Sequence, residues 1–385
     1  MSPSHLHDNA HTSPSSNSLP TQVDLLTLYV ERYFDVAQRY FPLLDRTSFE
    51  NQLDAAYRND QNVDPSLFAL FNAVFAIGCE FFNREDGPLK KEQQYLSPMS
   101  FFVNCLSVQD EISHPKYGIT GVQALAAMVL CSEFLPVTDA ELGLRLCQSA
   151  ARLTQSCGLR MSHFTAHCPA SHRSRRVLWM VYAMEKFSSI RLGKLSGIND
   201  SADPQLLLLE GPVVNEGAEY SLECQKAVEV TQEERFLFRL AQFGRFLSLI
   251  NDQLAPGVAR IYGMGGFGHA ASSLVSRLTV WKSGFEAEFA MSDVKLMGDR
   301  WLHPFYLQSC YCFAMCSIFN RVAQASGNGF ANGLDALSMT KISSECVSSS
   351  ASMSDSLKQL SSLRIPSWYV SIENPSMLPP GVSLV

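Results

Sequence analysis

Apolar residues recur at three- and four-residue steps through most of the chain, the spacing of one helix face. Leu25, Leu26, Tyr29, Val30, Tyr33, Phe34 and Ala37 predict a first helix from Val23. Pro42, within Phe41-Pro42-Leu43-Leu44, ends it because proline cannot donate the helical hydrogen bond. A second helix is predicted from near Thr47. Asp64 and Pro65 form an N-cap and first helical position. The helix they open runs to about Phe82, lined by Leu67, Leu70, Phe71, Val74, Phe75 and Gly78. Further helices are predicted over Gln93–Leu106 and, behind a Thr120 cap, Val122–Phe134. Thr138 and Glu141 make a capping box for a helix through Leu142, Leu146, Ala150 and Leu153, ended by Gly158 in the left-handed position. Thr231 begins a second box before Leu237, Leu240, Phe243, Leu247 and Ile250. Gly257 to Gly268 predicts a flexible loop. Helices follow over Leu274–Phe289, with Trp281 on the apolar face, and Phe305–Val322, opened by His303-Pro304. No alternating strand pattern and no fixed-period repeat occurs, so the expected fold class is all-α, an irregular multi-helix bundle.

The stretch Ser171 to Asp203 organises the rest. Ser171 is placed to cap a helix from about Arg173 to Leu192. Val177, Leu178, Val181, Tyr182 and Met184 form its apolar stripe, widened by Trp179. Gly193 supplies the left-handed residue that stops it, and a turn-rich loop leads to the acidic run Asp200 to Asp203. Around this core the chain divides into a polar tail over residues 1–22, a helical domain over 23–326, and a Ser/Pro-rich segment over 327–385. That last segment carries one predicted helix, Leu334–Leu360.

Composition sharpens the picture. Hydrophobic residues are 46% of the 385 and charged ones 17%, enough for a sizeable core. The net charge of −7 argues against a chain whose main task is gripping phosphates. The 11 cysteines are scattered through apolar runs, and the polar start lacks a secretory core. Reduced, buried thiols are therefore expected. The longest apolar runs, Leu67–Phe82 and Val122–Phe134, fall short of the roughly 20 residues a bilayer needs, so no membrane segment is expected.

His163, His167, Cys168 and His172 have metal-like density but sit beside the helix-breaking Pro169, which favours a solvated loop. Cys310, Cys312 and Cys316 lie on an apolar helix, with only Cys312 and Cys316 sharing a face, so buried thiols are expected. Gly263 to Gly268 matches G-x-G-x-x-G in letters but follows a helix where a dinucleotide site needs a strand. Arg173, Arg175 and Arg176 form the best basic patch; one is expected to pack its stem and pair with Asp200 or Asp203. No nucleophile elbow and no P-loop appears. The expectation is no catalytic residue, no cofactor and no metal ligand.

Several of these residues carry a resemblance. Arg175 and Arg176, then Trp179, Tyr182, Glu185-Lys186 and Ser189, then Arg191 to Lys194 and Ile198 to Asp200 stand in one order. They resemble the signature of the fungal-specific transcription factor domain, the regulatory middle region of fungal zinc-cluster transcription factors. Glu185-Lys186 stands for its usual Asp-Arg, Leu195 for a common proline and Asn199 for the first acid. Tyr33-Phe34, Tyr40 to Leu44 and Ser48-Phe49, with Phe71 to Gly78, Gln123 to Leu125 and Gly158 to Arg160, are similar to other parts of that domain. The resemblance implies a nuclear, non-enzymatic transcription regulator of a metabolic or secondary-metabolite pathway. The first 22 residues contain no cysteine, so the six-cysteine zinc cluster is expected to be missing and the chain to act through a partner. A protein partner or second copy and a small-molecule effector are the expected contacts. An all-α biosynthetic enzyme and a dimerisation scaffold are the alternatives; Asp-rich magnesium motifs, which the enzyme reading needs, do not occur.

Overall fold

The computed structural model describes residues 19–59, 63–85, 97–135, 139–158, 169–198, 200, 232–255, 258–289 and 302–325, with isolated residues between 340 and 351. Among the described residues every regular element is helical, as expected.

Helix α1 (Val23–Arg32) runs through a π-helical turn, Tyr33–Ala37, into α2 (Gln38–Tyr40). The wide turn buries Tyr33, Phe34, Val36 and Ala37 together, more than an α-helical stripe would. Pro42 ends this unit. Asp45 then caps α3 (Arg46–Asn59), its Oδ1 accepting the Ser48 N–H at 2.8 Å, one residue ahead of the expected start. Asp64 caps α4 (Pro65–Glu85) in the same way through the Ser66 N–H at 2.9 Å. Ser97 caps α5 (Pro98–Ser107), and the residues just before it, where this helix was expected to begin, lie outside the described ones.

The short α6 (Gln109–Ile112) and a 3₁₀ turn (Pro115–Tyr117) lead to α7 (Gly118–Phe134). That helix starts before Thr120, so the predicted Thr120 cap is replaced by the Gly118 corner, where φ is +54°. In α8 (Ala140–Ser156) the cap is Asp139, whose carboxylate accepts the Glu141 N–H and also pairs with Arg145. Thr138, the expected cap, lies outside the described residues. Helix α9 (Pro169–Arg191) begins two residues before Ser171, because Pro169 suits a first turn that needs no N–H; Ser171 is therefore inside the helix.

Three long helices complete the bundle: α10 (Gln232–Gln253), α11 (Val258–Glu288) and α12 (Leu302–Ala325). The loop expected over Gly257 to Gly268 is helical from Val258 onward. Phe267, Ala271, Leu274, Val275, Leu278, Trp281 and Phe285 form one buried stripe, and its burial outweighs the glycine penalty of roughly 1 kcal/mol per residue.

Helices α4 and α7 form the centre, with α1 and α5 against α4. From α7 the packing passes to α8, from α8 to α9, and from α9 to α10, which carries α11 and α12. By length and composition, the helices over Pro65–Asn83 and Pro115–Phe134 are apolar enough to span a bilayer, contrary to the estimate from uninterrupted runs. Their windows are 78% and 67% buried inside the bundle, as core helices are.

Candidate functional site

Helix α9 carries two groups of buried polar contacts, one at each end of its apolar middle. Both involve residues of the stretch that organises the sequence.

The first ties α9 to the Phe41–Leu44 turn, about 130 residues earlier. A turn ended by proline leaves backbone groups without helical partners, and buried ones must find others. Gln38 meets both groups of Leu44: its Oε1 accepts the Leu44 N–H at 3.1 Å and its Nε2 donates to the Leu44 carbonyl. Gln123 Nε2, from α7, donates to the Leu43 carbonyl at 3.1 Å. Arg173 donates to Gln123 Oε1, and Arg176 reaches the Leu44 carbonyl at 3.4 Å. Burial pushes the Arg173 pKa down, and the nearby Asp45 charge opposes it. These arginines thus face the bundle. The Arg175 side chain lies outside the described set.

The second group ties α9 to the strap formed by residues 194–198 with Asp200 and to α10. Gly193, at φ +62°, closes α9 with a Schellman motif. The Lys194 N–H reaches the Ser189 carbonyl at 2.9 Å and the Gly193 N–H the Ile190 carbonyl at 3.2 Å. The strap then folds back over the helix. The buried Glu185 takes it at one end, its Oε1 accepting from the Gly197 N–H at 2.7 Å and from Ser189 Oγ at 2.9 Å. Its Oε2 accepts from Ser196 Oγ at 2.7 Å.

Lys186 donates to Ser196 Oγ at 2.8 Å and to the Ile198 carbonyl at 2.7 Å, and its ammonium lies in an ion pair with Asp200 Oδ1 at 2.7 Å. The other Asp200 oxygen receives Arg245 of α10 at 2.7 Å and the Tyr182 hydroxyl at 2.9 Å. Lys186 and Asp200 are 3% and 5% exposed, so this is a desolvated ion cluster. Burial alone would raise the Asp200 pKa. The Lys186 charge, with hydrogen bonds from Lys186, Ser248 and Arg245, holds it below the usual carboxylate range. Burial and the neighbouring carboxylate push the Tyr182 phenol far up, so it stays a donor. Gly244 gives the Tyr182 ring its place: a Cβ there would lie 2.9 Å from Cε1 of the ring.

Of the basic patch, the described Arg173 and Arg176 engage Gln123 and Leu44 and not Asp200, which pairs with Lys186 and Arg245; the Arg175 side chain is outside the described residues. Lys186 lies in the last two turns of α9, beneath the returning strap, and Arg245 comes from α10, so both reach the carboxylate. Asp203 lies outside the described residues. Sequence reading missed Gln38, Gln123, Arg245 and Ser248 as participants. The available signal was a polar residue inside an otherwise buried helical face, as with Gln123 among Val122 to Leu130.

Trp179 is half-buried, with its ring tilted over Phe238 at 5.7 Å. It packs on Phe238 of α10 and at the edge of the main core. Trp179→Ala is expected to cost about 1–2 kcal/mol in a denaturant titration, below the roughly 3–5 of an enclosed aromatic.

Cys310, Cys312 and Cys316 are buried on α12. Burial lifts the Cys310 thiol well above its usual value, and burial with the Cys316 charge pushes Cys312 up to about 12. They are packing thiols. His163, His167 and Cys168 lie outside the described residues, as does the His172 side chain. Among the described residues no group of three His, Cys, Asp or Glu is placed to hold a metal ion.

An all-helical bundle that uses its buried charges to fix a loop and two helices against one another is a positioning module. The chain belongs to the fungal specific transcription factor domain family, which it matches over residues 30–256, more than half its length. It is 25% identical over 216 residues to the negative regulator of pleiotropic drug resistance STB5 of Candida glabrata, covering 50% of this chain and 20% of that protein. It is likewise 25% identical over 193 residues to protein STB5 of Saccharomyces cerevisiae, covering 46% of this chain and 24% of that one. The chain thus spans about a fifth to a quarter of the length of these curated relatives. No solved structure matches it significantly.

Proposed function

We propose that this chain is the regulatory domain of a nuclear transcription regulator of the fungal zinc-cluster type, extending over residues 23–326. The family match over residues 30–256 is the observation that carries this reading. The names of the two relatives, one a negative regulator of drug resistance, support it. Helices α11 and α12 lie beyond the matched span, and their packing on α10 supports counting them in the domain.

In this reading the chain controls a metabolic or secondary-metabolite pathway and performs no catalysis. DNA is contacted by a separate module or by a partner. Two observations favour that division. The net charge is −7, and two arginines of the basic patch, Arg173 and Arg176, are engaged with Gln123 and Leu44.

The test is a fusion of the whole chain to a heterologous DNA-binding domain, read on a reporter carrying that domain's site. Output is expected to differ from the DNA-binding domain alone by about fivefold or more, a typical coupling. Equal output from the two would sink the reading.

A further inference from the structure

We propose that the strap formed by residues 194–198 with Asp200 is a latch, which opens and closes on α9 and α10 as one unit while the rest of the bundle stays folded. Its state sets the regulatory output of the domain, a consequence that rests on the function proposed above.

The argument starts from what holds the strap. Lys194, Leu195 and Gly197 are exposed, Leu195 to 86%, and Ile198 is its half-buried apolar contact with the core. The other anchors of its described residues are polar: Lys194 on Glu141 of α8, an exposed pair, Glu185 on Ser196 and Gly197, Lys186 on Ser196 and Ile198, and Lys186, Arg245 and Tyr182 on Asp200. Segments with few buried apolar contacts open at low free energy, whereas α4 and α7, buried on nearly all sides, open only with the whole fold.

A buried ion cluster suits such a latch. Opening lets water rehydrate the ions, and the hydration regained offsets part of the Coulombic gain of the closed state. The cluster is also cooperative in layout. Ser196 Oγ touches both Glu185 and Lys186, and Lys186 touches Asp200, so the two ends of the strap share one chain of contacts.

Amide hydrogen exchange on the full chain tests the latch. In Asp200→Asn the Gly197 amide, which Glu185 holds at the far end, is expected to exchange about a hundredfold faster, with amides in α4 and α7 changing less than about threefold. Ser196→Ala, a milder change on a half-exposed residue, is expected to show the same pattern at about tenfold. An equal rise in all helices, or no rise at Gly197 in either variant, overturns the proposal.

On the reporter fusion, both variants are expected to shift output in one direction by about fivefold or more from wild type. Faster exchange at Gly197 with unchanged output would overturn the link to regulation. A wild-type fusion without effect on the reporter would instead sink the function reading and leave the exchange result to judge the latch.

Discussion

Gly78→Ala is expected to destabilise the domain by about 3 kcal/mol or more, beyond the usual overpacking cost of roughly 1–3. Helix α4 crosses α1 at this residue. A Cβ on Gly78 would sit 1.9 Å from the Tyr29 carbonyl oxygen and 2.6 Å from its carbon. Those atoms are backbone, so no rotamer change relieves the contact and the helices must separate. Their separation loosens Tyr29 and the edge contacts it makes with Phe82 and Phe101. Alanine does gain up to about 1 kcal/mol of helix propensity over glycine, which is too little to compensate. Gly265→Ala in α11 isolates that smaller effect, since nothing beyond its chain neighbours and its own helix backbone lies within 4 Å of its Cβ position. It should be neutral or stabilising by up to about 1 kcal/mol. Denaturant titration of both variants checks the pair, and a Gly78→Ala domain as stable as its parent would contradict the close crossing.

Phe71→Ala should cost about 3–5 kcal/mol, the range for truncating an enclosed aromatic. Phe71 is fully buried on α4 and meets Phe49 of α3 edge-on at 5.4 Å, while Phe49 meets Phe34 of the π turn at 5.6 Å. The substitution therefore opens a cavity where three elements join, and the surrounding helices can collapse into it only in part. In exchange measurements this variant should speed amides throughout the bundle, unlike the strap variants. A loss under about 1 kcal/mol would mean that the aromatic ladder does not set the packing of α3 on α4.

Much of the fold was legible in the chain itself. Proline at residues 42, 65 and 304, and glycine at 158 and 193, mark helix ends because their backbone limits act locally. The three- and four-residue spacing of Leu70, Phe71, Val74 and Phe75 needed no knowledge of the partner helix. Errors fell where tertiary burial competes with local preference. The glycines after Gly257 join a helix because the stripe from Phe267 to Phe285 is buried. The cap moved from Thr120 because α7 starts at the Gly118 corner, and from Ser171 because Pro169 suits a first helical turn. The π turn at Tyr33–Ala37 has no local signature, since it is selected by what its aromatics touch.

The candidate site divides in the same way. Order and residue type across Arg175 to Asp200 already pointed to the family and to the importance of the stretch. They did not say which charge meets which, because partners such as Gln123, Leu44 and Arg245 are separated from α9 by tens of residues or more.

From sequence alone came the helical class, most helix ends, the family and the exposed-versus-buried balance, all of which follow from short-range sterics and periodic hydrophobicity. The tertiary structure alone decided that Arg173 and Arg176 secure the Phe41–Leu44 turn and that Lys186 and Arg245 converge on Asp200. Ion pairing depends on distance in three dimensions and on the loss of water, and neither is encoded in the spacing of residues along one helix.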